Sequence, residues 1–180
     1  SKAVESLVNL TRDVEESIKE LADMGIVLDS PSYRVAAFDM DVYADLEYVD
    51  IEKRQESALM AFVLFNVSDE IVTREKAGIV YQEGSSRVCI LFTGNRTGEF
   101  ARKIREICKE VQSKVKEVIG IETSIGIGSW VRNPRELCMS YALAQRGIQC
   151  RYLLGGNLLM DMEEEKTDKE LFIQEEIWEF

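Results

Sequence analysis

At 180 residues the chain is long enough for one hydrophobic core with appendages and too short for two full-sized domains, and 46% apolar content with only two prolines excludes a disordered tract. Thirty-three acidic against 22 basic residues give a formal charge of −11, a field that repels phosphate backbones and argues against direct nucleic-acid binding. With no histidine in the sequence, imidazole metal ligands and every Ser–His or Cys–His nucleophile are excluded as well. No apolar run approaches the length that crosses a bilayer. The opening "SKAVESLVNL" has neither an initiator Met nor the basic-then-apolar layout of a secretory signal, so the expectation is an excised piece of a cytoplasmic protein without membrane contact. Cys89, Cys108, Cys138 and Cys150 form no CxxC pair and sit in apolar periodic segments, which suits buried reduced thiols over a disulfide or metal framework.

In chain order, residues 3–24 place Val4, Leu7, Leu10, Val14, Ile18 and Leu21 on one stripe of an amphipathic helix that Gly25 ends. Leu7, Val14 and Leu21 recur every seven residues, as a two-stranded coiled coil requires, although packing onto the chain's own domain gives the same stripe. "YRVAAFDMDVY", 33–43, predicts a central covered strand with two carboxylates at its end. After the polar "DIEKRQES" a long helix is expected to about Arg74, with Leu59, Phe62, Val63, Val67 and Ile71 inward. Residues 77–82 and 87–92 read as a hairpin around "EGSS", and "NRTGEF" opens a helix capped by Thr97 and ended by Gly120. In "ETSIGIGSW" the apolar residues alternate, which belongs to a strand, and Gly126 and Gly128 fall on one face where another element can approach closely. No phosphate-binding loop pattern is completed there. "NPRE" starts the last core helix, with Leu137, Tyr141, Ala144 and Ile148 inward and Gly155-Gly156 as its stop, and "LLMDM" reads as one more strand.

The order therefore has a βαββαβ centre. That is the ferredoxin-like plan, an α+β fold with an antiparallel sheet and helices packed on one face. An N-terminal linker helix over 1–30 precedes a domain over 31–163, and 164–180, with the aromatics of "LFIQEEIWEF", form a C-terminal connector.

The strand "AAFDMDVY", helix "ALMAFVLFNVSDEIV", hairpin "VYQEGSSRVCILF" and segment "SIGIGSWVRNPRELCMSYALAQRGIQ" follow one another in the order of a GGDEF domain, the nucleotide-cyclase-like fold. More narrowly, "FVLFNVSDEI", "SIGIG" and "LCMSYALAQRG" resemble the degenerate GGDEF-like middle region of YesN-type response regulators in the AraC family. Sugar-diacid and purine regulators carry a similar "SY…A…AL" helix. The YesN-type resemblance covers about residues 5–163 and implies a two-component transcription regulator in which this region lies between a receiver and a DNA-binding helix-turn-helix domain. It also implies comparison with a metal-assisted condensation of GTP. Asp39 and Asp41 match the family's first-strand carboxylates, with Asp39 where a metal-binding Asp would sit. Tyr43-Ala44 replaces the family's "FK", Glu47 stands in place of a guanine-reading Asn, and the "GGDEF" turn reads Glu83-Gly84-Ser85-Ser86-Arg87.

Half of the carboxylates that would hold cations against a triphosphate are thus gone, and the expectation is a domain without catalysis or cofactor. Asp39 and Asp41 are then either a solvated strand end or a residual cation or ligand site. Ser85, Ser86 and Arg87 are either an ordinary polar tip or an anion-holding hairpin. Scattered helix-surface cations account for Arg96, Arg102, Arg146 and Arg151. The expected function is signal transmission, with a homodimer through the N-terminal helix at Leu7, Val14 and Leu21. The rival reading is a small-molecule or nucleotide sensor on the same scaffold, and an active cyclase comes last.

Overall fold

The computed structural model describes residues 2–44 and 51–163. Its elements in chain order are α1 (Lys2–Asn9), α2 (Val14–Asp23), β1 (Ser32–Met40), α3 (Ile51–Glu75), β2 (Gly78–Glu83), β3 (Arg87–Gly94), α4 (Gly98–Ile119), β4 (Thr123–Ile127), α5 (Leu137–Gln149), α6 (Arg151–Leu154) and β5 (Leu159–Asp161). The connector expected over 164–180 and Glu47 lie outside the described residues.

The five strands lie in the order β2-β3-β1-β4-β5. β1 is antiparallel to β3 and β4, β2 is antiparallel to β3, and β5 joins the edge parallel to β4. The α+β, ferredoxin-like order is therefore present, extended by one strand. β1 runs through the middle, and its continuous burial explains why its apolar residues do not alternate with polar ones.

Helices cover both faces of the sheet, which corrects the one-face expectation. Ala36, Phe38 and Met40 of β1 pack with Leu64 and Ile71 of α3 and Ile104, Cys108 and Val111 of α4. Tyr33, Val35 and Ala37, pointing the other way, pack with Val4 and Leu7 of α1, Leu21 of α2, and Leu137, Tyr141 and Ala144 of α5. A strand apolar at odd and even positions alike has to be covered twice, and the first helices of the chain supply part of the second cover.

The helix expected over 3–24 is two helices. Leu10 takes a positive φ of 53°, and the Asp13 carboxylate accepts the Glu15 and Glu16 N–H groups at 2.9 and 3.2 Å, starting α2 afresh. Leu7 and Leu21 are both 0% exposed within this chain's own core, and Val14 is half-buried. The intrachain alternative for the stripe is the one the structure contains; a straight coiled-coil seam through all three residues is incompatible with the break.

α3 begins at Ile51, inside the stretch expected to precede it, and buries Ser57, Ala61, Leu64, Ser68, Ile71 and Val72. Leu59 and Phe62, expected inward, are exposed. Apolar residues occur all round this helix, so its period carries little phase information, and small residues at Ser57, Ala61 and Ser68 decide which side approaches its neighbours. α4 and the turn before α5 follow expectation more closely. The Thr97 hydroxyl accepts the Phe100 N–H, Gly120 ends α4 at φ 70°, and the Asn133 side chain accepts the Arg135 N–H ahead of a 3-10 turn at Pro134–Glu136. Gly126 and Gly128 are required by packing: a Cβ at either would overlap the carbonyl oxygen of Ala144 or Ser140 in α5.

On the α4 side of the sheet, the fully buried Arg34 of β1 donates Nε–H to the Gly128 carbonyl at 2.6 Å and pairs through both terminal nitrogens with Asp161 of β5. Arg105 of α4 adds a contact to Asp161 at 3.1 Å. Burial alone would raise the Asp161 pKa. The Arg34 and Arg105 cations outweigh it and hold the carboxyl below its ordinary value.

Candidate functional site

The odd-numbered residues of β1 continue on the α5 side of the sheet to Asp39. One step past the Phe38–Val88 pair, Arg87 at the start of β3 comes alongside it. The guanidinium grips the carboxylate at both ends, Nε to Oδ1 at 2.7 Å and Nη2 to Oδ2 at 2.8 Å. Arg151 of α6 approaches Oδ2 at 3.4 Å from the other side. A fork-to-fork pair that is mostly shielded from water is the strong form of this interaction. Burial works against the Arg87 charge, but the Asp39 carboxylate more than offsets it and raises the guanidinium pKa further.

The network extends away from Asp39. Arg87 Nη1 donates to the Tyr141 hydroxyl at 2.9 Å, and that hydroxyl donates in a short contact to Glu83 Oε2. Burial first, and the Glu83 hydrogen bond second, push the Tyr141 pKa up, so it remains a neutral donor. Glu83 and Arg87 are the register pair that closes the β2–β3 hairpin, with Gly84 in the turn at φ 60°. In front of them lies a cleft of about 400 Å³ lined by Glu5, Asp39, Tyr43, Glu83, Ser85 and Arg87, among others. The Tyr43 hydroxyl donates to Glu56 at 2.6 Å, and burial together with that bond lifts its pKa to about 12.

Asp41 is engaged separately. Its Oδ1 accepts the Ser124 hydroxyl and its Oδ2 the Asn157 N–H, both at 2.7 Å, and Gly156 packs against its carboxylate. It ties the turn before β5 to the end of β1. The strand end expected to offer two free carboxylates therefore has both occupied by this chain's own donors. Among the described residues no group of three or more Cys, Asp or Glu side chains is arranged to hold a metal ion. A pair of metal ions and a triphosphate do not fit this donor set, because a cation at Asp39 must first displace Arg87.

Ser85 is exposed and Ser86 half-buried at the hairpin tip; only Arg87 of the predicted trio reaches the network. Leu7 and Leu21 lie in the core on the same sheet face, and Glu5 and Asn9 of α1 turn toward the hairpin. Arg151, expected as a surface cation, has a side chain only 9% exposed and belongs to the site. Its recruitment depends on the short α6, which carries it to Asp39 across 112 residues of sequence. Arg146 and Arg102 are exposed as expected, and Arg96 lies 3.9 Å from Glu163.

No curated protein matches the chain. Among solved structures it is similar to a Csm1-Csm4 cassette in complex with cA4, at 15% identity, TM-score 0.45, 74% of this chain and 21% of that one. A Csm1-Csm4 cassette in complex with pppApApA matches at 16% identity with the same TM-score and the same coverage of both chains. The guanylyl cyclase Cya2 is similar at 14% identity and TM-score 0.40, over 66% of this chain and 71% of that one. The chain thus spans about a fifth of the first of these structures. A family model described as GGDEF-like domain matches residues 11–150, the stretch that holds β1 to β4, the hairpin and α5, and the chain belongs to that GGDEF-like family.

Proposed function

We propose that this domain transmits a signal without catalysing a reaction, as a regulatory module of a cytoplasmic two-component transcription regulator. In the intact protein it would link a receiver to a helix-turn-helix domain. One observation carries the non-catalytic reading: the carboxylate best placed to hold a cation is already neutralised by Arg87, with Arg151 behind it. Phosphoryl transfer on such a scaffold depends on divalent ions that bridge protein carboxylates to the triphosphate, and a guanidinium covalently part of the hairpin cannot move with substrate to do that. The context of receiver, AraC-type DNA binding and transcription control rests on the sequence resemblance around "FVLFNVSDEI" and "LCMSYALAQRG".

The test is turnover. The full chain, incubated with GTP, ATP and cyclic dinucleotides in Mg²⁺ or Mn²⁺, is expected to leave each unchanged; product above a protein-free control overturns the proposal. A second reading, ligand sensing, is favoured by the cleft before Arg87 and the hydroxyls of Ser85 and Ser86. A ligand at one hundred times its dissociation constant stabilises the fold by about 2.7 kcal/mol, so a thermal-shift screen of nucleotides with Mg²⁺ separates the two. Homodimerisation is part of the regulatory proposal. With Leu7 and Leu21 in the core, a dimer of this conformation uses other residues.

A further inference from the structure

We infer that α1 and the Asp39–Arg87 clamp are coupled through Glu83, so that loosening either one loosens the other. The inference rests on the regulatory reading and assigns the route by which the N-terminal helix and the cleft communicate.

Glu83 has two oxygens facing two different elements. Oε1 accepts the Asn9 Nδ2–H of α1 at 3.4 Å, and Oε2 accepts the Tyr141 hydroxyl that Arg87 holds from its other side. The carboxylate cannot rotate to follow one partner without leaving the other. Glu5, one turn earlier in α1, lines the cleft and accepts the Gly84 N–H at 3.4 Å, so α1 contacts the hairpin at two adjacent points. Asn9, Glu83, Tyr141, Arg87, Asp39 and Arg151 thus form one chain of polar contacts from α1 to α6.

A neighbouring group offers this chain a second arrangement. Tyr81 lies two residues before Glu83 on β2, hence on the same sheet face, and its hydroxyl is fully buried beside the Cys89 thiol without a hydrogen bond of ordinary geometry. That thiol in turn reaches Glu83 Oε2 at 3.9 Å, so the Tyr81–Cys89 pair stands next to Glu83 as an alternative source of a donor when Tyr141 releases it. A switching element needs such a second arrangement of the same groups.

α1 is positioned to report the change. Its opposite face, Ala3, Val4, Leu7 and Val8, is buried on the sheet, while the Leu10 break separates it from α2. It is a separate helical unit that meets the hairpin through Glu5 and Asn9.

Hydrogen exchange on the full 180-residue chain tests the coupling. In Arg87→Gln, whose side chain makes no hydrogen bond to α1, amides of residues 6–9, the ones bonded within α1, are expected to exchange about fivefold faster, the effect of about one net hydrogen bond, while amides of α4 keep their rates. In Asn9→Ala the hairpin amides 84–88 are expected to quicken by a similar factor, as reciprocity of coupling requires. Unchanged α1 rates in Arg87→Gln with α4 intact overturn the inference. Should α4 lose protection in that variant, Asn9→Ala decides alone: faster hairpin exchange supports the coupling and wild-type hairpin exchange ends it. Nucleotide turnover by the wild-type chain would remove the non-catalytic reading and leave the exchange result standing, and unchanged exchange would do the reverse.

Discussion

Asp39 separates two kinds of carboxylate by the sign of one substitution. In a site built for metal ions, acidic groups repel one another until the ion arrives, so neutralising one stabilises the metal-free protein. Here Asp39 balances Arg87 and Arg151, and Asp39→Asn leaves Arg151 without this carboxylate and the largely shielded Arg87 with only the more distant Glu83 at 4.0 Å. We expect Asp39→Asn to lower stability by about 2–4 kcal/mol, or about 4–16 °C in Tm, without added metal. An unchanged or raised Tm would mean that the clamp is not the resting state. The thiols give a second residue-scale outcome. Burial pushes the pKa values of Cys89 and Cys108 up, and Cys150 is buried too, whereas Cys138 is half-exposed. Reaction with a thiol reagent at pH 8 is expected to show one fast cysteine in the native protein, Cys138, and all four after denaturation.

At the scale of elements, α1 and α2 are part of the core and not an appendage to it. Leu7 packs with Val35, Tyr81 and Leu91 in one cluster, so Leu7→Ala is expected to cost about 2–5 kcal/mol by transfer and cavity terms, while Val14→Ala at the half-buried start of α2 costs well under half of that. Thermal unfolding of both variants checks the contrast, and sedimentation of Leu7→Ala is expected to match wild type. A Leu7→Ala variant with wild-type Tm but a smaller sedimentation coefficient would instead place Leu7 in a dimer seam. The break at Leu10 was readable in principle from Asp13 followed by Glu15 and Glu16, a capping residue with acidic side chains in the first turn. The heptad spacing hid it, since Leu7 and Leu21 serve a folded-back pair as well as a straight helix. In α3 the misassigned Leu59 and Phe62 have the same origin: many apolar residues with no dominant face.

For the whole molecule, Asp161 binds layers together. It joins β5 to Arg34 of β1 and Arg105 of α4, so its charge state is felt across the sheet and one helix layer. Its folded pKa is lowered, which sets the sign. The stabilisation is fully present above the unfolded value of about 3.9 and is lost as pH falls through the lower folded value. Wild type is therefore expected to lose stability steeply below about pH 4, and Asp161→Asn, already weaker at pH 7, to show a flatter acid limb in denaturant titrations. Parallel acid limbs for the two proteins would show that Asp161 is not the group responsible.

The α+β class, the βαββαβ order, the Thr97 and Asn133 caps, the hairpin and the two packing glycines were legible in the sequence because each follows from local rules: side-chain period, cap chemistry, and the backbone freedom or small size of glycine. Asp39 and Arg87 were legible as chemically notable residues, but their union was not. Arg87 is 48 residues from Asp39 and Arg151 is 112, and only sheet register and the placement of α6 bring these charges within reach of one carboxylate. Tertiary structure alone decided that the acidic strand end is closed by donors of its own chain, cations at Asp39 and neutral groups at Asp41, and that the first helices cover the sheet's second face, because desolvation and close packing act on neighbours in space, whatever their separation along the chain.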